Sequence, residues 1–201
     1  MGTSGQKFGI HKSLLCHHSA HFKAALTGTL KEAEESLVIL NDDSLEVLER
    51  FNGWLYTGIL LKEEETDGTV TFGVLLDMCV FSENWSVPRL HNAAIDTIIR
   101  GSAVKHEVPS GSDIANAWNN TPATSKLHEF LIEMYLRVAD LQAILRPGRF
   151  TREDLPFDFV ADLALALHKE RHTNVEDIDF WKERCRWHIH EATEPRCKSP
   201  T

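Results

Sequence analysis

Apolar residues recur at helical spacing through most of the 201-residue chain, so the fold must be built mainly from helices. One clear stripe begins after the capping tetrad "NDDS", ends at Gly58 and comprises Leu45, Leu48, Phe51 (or Asn52) and Leu55. Strand candidates are few and short, namely "KFGIH" at 7–11 and "ESLVIL" at 35–40. These patterns predict an α+β fold for about the first hundred residues, with helices against a small sheet, and an all-α remainder.

The composition is acidic, with a formal net charge of -9 and a pI of about 5.6. Such a surface disfavours the phosphate contacts of nucleic-acid binding and any attraction to anionic membranes. No apolar run has the length of a transmembrane helix, and the first residues lack the apolar core of a signal peptide. We therefore expect a cytoplasmic or nuclear protein, or one found in both places, whose four cysteines stay reduced.

A histidine-rich segment, "FGIHKSLLCHHSAHF" at residues 8–22, raises the question of a metal site. His17 and His21 are four residues apart and would share one helix face, a spacing found in helical zinc sites. The competing interpretation is a helix that buries an apolar stripe, formed by Leu15, Ser19, Phe22 and Leu26. We favour this structural interpretation, since Cys16 would point about 100° away from the adjacent His17.

Two spaced motifs carry a resemblance to a known family. His11, Leu15, Ser19 and Phe22 form H-x3-L-x3-S-x2-F, and a later helix ends in "LYTG", with Leu55, Tyr56 and Gly58. A Glu-rich turn and a segment ending in Leu-x-Asp lie between them. In this order the motifs resemble the BTB/POZ domain over residues 8–101. The resemblance implies a helical cluster flanking a small sheet, with His11 as a buried, hydrogen-bonded residue and the seven named positions as the fold signature.

The resemblance and the composition together predict four regions. Residues 8–101 form the BTB/POZ domain, 102–124 a linker rich in Ser, Gly, Asn and Pro, 125–190 a helical extension, and 191–201 a flexible tail. The later helices and the tail are similar to the C-terminal parts of short BTB proteins of filamentous fungi. No segment before Phe8 has the pattern of the family's first strand, so that strand is predicted to be missing. Because some family members dimerise by exchanging it, homodimerisation is left open.

The C-terminal part contains a second candidate metal site. Cys185, His188, His190 and Cys197 form C-x2-H-x-H-x6-C, and thiolate with imidazole suits tetrahedral zinc. The two histidines would point the same way only on an extended backbone, because a helix would separate them by about 200°. The alternative is an amphipathic helix that packs its aromatic residues inward and leads into a frayed tail. Zinc is thus a candidate cofactor, and no other is indicated.

The BTB/POZ resemblance implies a non-catalytic protein-interaction module. Its partners would be a cullin, for which the chain would act as a substrate adaptor of a ubiquitin ligase, or other BTB chains in a self-associating scaffold. A transcription-associated BTB regulator and a small zinc-binding protein are the alternatives. An enzyme is not expected, because no Asp is placed to orient the histidines near Ser19 and no Gly-rich phosphate loop is present.

Overall fold

The structure is a computed structural model that describes residues 7–28, 31–35, 37–40, 43–139, 155–172 and 184–190. Its helices in chain order are α1 (Lys12–His18), α2 (Ala20–Thr27), α3 (Lys31–Glu35), α4 (Leu45–Thr57), α5 (Phe72–Asn84), α6 (Pro88–Lys105), α7 (Gly111–Asn119), α8 (Lys126–Arg137) and α9 (Phe157–His172). A short 3-10 turn follows at Arg184–Arg186. No described helix has both the length and the apolar composition needed to cross a membrane.

The predicted small sheet is wrong: within the described ranges the backbone forms helices and connecting segments, without a strand. Residues 37–40 do keep an alternating pattern, since Leu37 and Ile39 are exposed while Val38 and Leu40 pack against the core. A strand also needs a neighbouring ladder, however, and the Leu37 amide donates to the Glu32 carbonyl instead, at 3.3 Å. Alternation predicted which side is buried but not whether a partner strand is present.

The second strand prediction, at 7–11, fails for a similar reason. The backbone amide of His11 donates to the Tyr56 hydroxyl at 3.2 Å and not to a backbone carbonyl. This contact fixes the segment against α4 through one side chain. The α+β class predicted for the BTB/POZ-like region, with its helices flanking a sheet, is therefore replaced by an all-helical arrangement in the described residues.

Helix α4 shows how the local sequence sets an element and its buried face. The Ser44 side chain accepts a hydrogen bond from the Val47 amide, and Gly58 ends the helix with φ of 71°. The buried side chains are Val47, Arg50, Phe51, Trp54 and Leu55. Leu45, which the apolar stripe placed in the core, is 41% exposed. The buried face is rotated from the predicted one, since it includes Val47, Trp54 and the charged Arg50, which the predicted stripe left out.

The core lies between α5 and α6 and extends onto the later helices. Met78, Cys79, Ile95 and Ile98 are fully buried there. Helix α7 packs against α5, and α9 packs against α8. The predicted linker at 102–124 thus contains α7, while the end of α6 continues four residues past Gly101 to Lys105. The domain boundaries themselves remain predictions.

Candidate interaction surfaces

Ser19 and Phe22 join the α1–α2 region to the end of α5. The Ser19 hydroxyl accepts from the Phe22 amide at 2.9 Å and donates to the Trp85 carbonyl at 2.6 Å. The Phe22 ring stacks on the Trp85 ring, with centroids 5.4 Å apart and planes 6° from parallel. Both signature residues are almost completely buried, and Leu15 is half-buried against the core. These positions are structural.

His11 lies at the surface, so the expectation of a buried His11 is wrong. Its Nδ1 is 2.9 Å from the Tyr56 hydroxyl, in addition to the amide contact described above. The imidazole and the phenol ring meet edge to face, with centroids 5.8 Å apart. Tyr56 is 50% exposed, so its ring is presented to solvent while two hydrogen bonds with His11 restrict its orientation.

The end of α4 and the residues after it carry exposed apolar groups. Ile59 is 61% exposed three positions after Tyr56, whereas Leu55 is buried at 5%. Gly58 lies between them in the left-handed region, which lets the chain turn sharply at this point. We call His11, Tyr56 and Ile59 the α4-end surface. Its aromatic and aliphatic groups on a capped helix have the composition of an interaction surface.

A buried ion pair fixes the loop that follows this surface. Arg50 is 5% exposed, and its guanidinium donates to Glu65 at 2.6 and 2.8 Å and to the Leu60 carbonyl at 3.1 Å. It also contacts Glu46, one helical turn earlier, at 3.0 Å. The hydrogen bonds from Arg50 lower the pKa of Glu65 to about 2. The apolar pattern of the sequence did not reveal this pair, although Glu46 and Arg50 show helical i,i+4 spacing.

The predicted zinc ligands are only partly brought together. Cys185 Sγ lies 3.2 Å from His190 Nε2, whereas His188 Nε2 lies 3.3 Å from Asp96 Oδ1 on α6. Cys197 lies outside the described residues. In the part of the chain that the structure describes, no group of three or more His, Cys, Asp and Glu side chains could hold a metal ion. The four-ligand zinc site therefore stays a prediction.

Residues 184–190 pack on α6 and α8. Trp187 is 1% exposed, and its ring meets Phe130 edge to face with centroids 5.5 Å apart. The Asn92 side chain donates to the Ile189 carbonyl at 3.0 Å and accepts from the Ile189 amide at 2.8 Å. From the sequence, this segment was considered as a set of metal ligands and, alternatively, as an amphipathic helix with its aromatic residues packed inward. The buried Trp187 was the signal that it docks on the preceding helices.

Two titratable groups lie buried beside this segment. His91 Nδ1 is 3.7 Å from Glu83 Oε1, and the Ser125 hydroxyl donates to the same carboxylate oxygen. Burial lowers the pKa of His91 to about 4 and raises the pKa of Glu83. A neutral His91 beside a carboxyl group bonded to Ser125 suits a packed junction between helices.

Comparison with known proteins identifies a domain in the first part of the chain. The model of the BTB/POZ domain matches residues 1–83. The chain is 22% identical to human Kelch-like protein 13 and 21% identical to mouse Kelch-like protein 9, each over 187 residues. These alignments cover 92% of this chain but 25% and 27% of the relatives, so the chain spans about a quarter of their length. The similarity extends past the domain into the helical extension.

The comparisons agree with the spaced residues from His11 to Gly58 that carried the original resemblance. BTB/POZ domains are protein-interaction modules, which accords with the exposed α4-end surface. The first 83 residues of this chain are therefore a BTB/POZ domain.

Proposed function

We propose that this protein is an adaptor that binds a cullin scaffold of a ubiquitin ligase through the α4-end surface. The observation that carries the proposal is the exposure of Tyr56 and Ile59, at 50% and 61%, on a capped helix end of the BTB/POZ domain. Apolar and aromatic groups that form a contiguous exposed patch are typical of a binding surface. Tyrosine in particular is enriched among residues that dominate interface energy.

The geometry also reduces the entropy that binding would cost. His11 makes two contacts with the Tyr56 hydroxyl, and the Arg50–Glu65 pair fixes the loop that begins after Gly58. A side chain and a loop that are already ordered lose less conformational freedom when a partner binds. The helical extension would then present the substrate, since a substrate adaptor needs a second binding region.

The test is direct binding of the full chain to a panel of purified cullins by biolayer interferometry. We expect one cullin to bind, and Tyr56→Ala and Ile59→Asp each to weaken binding by at least about tenfold. Leu165→Asp on α9 is the matched control, because Leu165 is 59% exposed but lies in the helical extension. Binding by no cullin, or equal binding by the wild type and both surface variants, would refute the proposal.

Self-association is the alternative use of the same surface. Sedimentation equilibrium of the wild type and Tyr56→Ala separates the two. A dimer that the substitution dissociates, with no cullin binding, would assign the surface to a second copy of the chain.

Zinc binding by the C-terminal segment is a second candidate function, favoured by the 3.2 Å between Cys185 Sγ and His190 Nε2. That separation is close to the roughly 3.5 Å expected for two ligands of one tetrahedral zinc ion, given the usual bond lengths. Elemental analysis of the purified protein tests it. We expect about one equivalent of zinc and a lower melting temperature after chelation. Less than about half an equivalent, with unchanged stability, would exclude it.

A further inference from the structure

Side chains of α6 and α8 hold residues 186–190 largely through hydrogen bonds to main-chain groups of that segment. The Asn92 side chain engages both the amide and the carbonyl of Ile189, at 2.8 and 3.0 Å. This is the same pair of bonds that a neighbouring strand would make to that residue. The Lys126 ammonium donates to the carbonyls of His188 and Arg186, at 3.0 and 3.3 Å. None of these four bonds depends on the identity of the bound side chains.

One side chain supplies the apolar contact. Trp187 is 1% exposed and its ring lies against Phe130, which is itself fully buried. A second contact, between His188 Nε2 and Asp96 Oδ1 at 3.3 Å, reaches the same face of α6. The arrangement therefore combines sequence-independent bonds to the main chain with one deep aromatic anchor. This combination is how protein grooves recognise extended peptides.

Residues 187–190 also differ from the surrounding helices in their backbone structure. Beyond the three-residue turn at Arg184–Arg186, residues 187–190 have no helical or strand structure of their own. Asn92 and Ile189 are separated by 97 positions in the chain, so this contact is not a product of local folding. Residues 186–190 are thus attached to the α6–α8 face in the manner of a ligand that is part of the same chain.

We propose that α6 and α8 form a peptide-binding groove, defined by Asn92, Asp96, Lys126 and Phe130, for extended segments anchored by a tryptophan. Residues 186–190 occupy it as an internal ligand. A partner segment with a tryptophan two positions before the residue that bonds to Asn92 competes with them. The proposal does not depend on cullin binding, because it involves a different surface and a different partner.

The probe is a fluorescein-labelled peptide with the sequence of residues 184–190, in which Ser replaces the cysteine. An internal ligand has an effective concentration of about a millimolar or more, so the wild-type chain should bind the peptide poorly. Trp187→Ala weakens the internal ligand by removing its anchor. Ile189→Pro weakens it in a second way, by removing the amide that donates to Asn92, and it leaves Trp187 in place.

We expect fluorescence anisotropy to show at least about tenfold tighter peptide binding by either full-length variant than by the wild type. A peptide with Ala in place of Trp should bind at least about tenfold more weakly to the same variants. Adding Asn92→Ala to either variant should also reduce binding by about tenfold, because both bonds to residue 189 are lost. Circular dichroism establishes that each variant is folded.

A measurement on the wild-type chain keeps the test independent of the variants. At several millimolar unlabelled peptide, amide hydrogen exchange in residues 184–190 should accelerate as the internal segment is displaced. Unchanged exchange there would overturn the proposal. Folded variants that bind the peptide no better than the wild type, or that bind equally with and without Asn92, would overturn it as well.

Discussion

Replacing Ser19 by alanine should destabilise the protein more than the loss of a helix cap alone. The hydroxyl caps α2 by accepting from the Phe22 amide, and it also donates to the Trp85 carbonyl at 2.6 Å. Loss of an N-cap costs about 1 kcal/mol. Leaving a partly buried carbonyl without its donor costs about 1–2 kcal/mol more. The sum is about 2–3 kcal/mol, which lowers the melting temperature of a chain of this size by about 5–10 °C.

The matched control is Ser110→Ala. Ser110 caps α7 in a capping box with Asp113, but it is exposed and makes no bond to a distant backbone group. We expect a loss of about 1 kcal/mol for this variant. Urea denaturation followed by circular dichroism gives both free energies of unfolding. If Ser19→Ala loses no more stability than Ser110→Ala, then the Trp85 bond contributes nothing and the reasoning about the α1–α2 region is wrong.

Three further substitutions test other parts of the structure. The pKa of Glu65 is about 2 against an ordinary 4.5, so the stability that this carboxylate contributes is complete above pH 4.5 and is lost as the pH falls toward 2. The Glu65→Gln variant should lack this acid-dependent loss of stability. After allowance for solvent screening, urea denaturation at pH 7 should show it to be about 1–2 kcal/mol less stable than the wild type. A Cβ at Gly101 would lie 2.6 Å from the Asp67 carbonyl oxygen, so Gly101→Ala should lower stability by about 1–3 kcal/mol. Gly53 has open space around it, so Gly53→Ala should raise stability slightly. A calorimetric scan in which both variants show the same change in melting temperature would contradict this. Tyr135→Phe removes a buried bond of 2.7 Å to a backbone carbonyl and should cost about 1–2 kcal/mol, and a melting temperature equal to that of the wild type would count against the bond.

Helix ends were the features most accessible from the sequence. The tetrad "NDDS" was predicted to cap α4 and Gly58 to end it, and both predictions are confirmed. Each depends on a local property, namely the left-handed φ that glycine tolerates or a hydroxyl that reaches the first-turn amides. Gly101, in contrast, does not end a helix, because it lies within α6. It allows close approach of the Asp67 carbonyl inside a continuing helix.

Long-range pairing was less accessible. Arg50 looks like a surface residue in the sequence, and its burial depends on Glu65, fifteen positions later, folding back over it. The predicted sheet failed because an alternating segment was given a partner that the described residues do not provide. The contacts of Tyr56 with His11 and of Asn92 with Ile189 likewise join residues whose types do not indicate each other. Such contacts are set by topology, which local pattern does not encode.

The late position of Trp187 in the chain has a consequence for biosynthesis. Its place beside Phe130 can be filled only after the polypeptide has grown well beyond α8. At ordinary elongation rates, the 57 residues from Phe130 to Trp187 take roughly 3–11 s to translate. During that interval the side of α8 that carries Phe130 lacks its Trp187 cover, and such transiently exposed apolar surface is what chaperones bind.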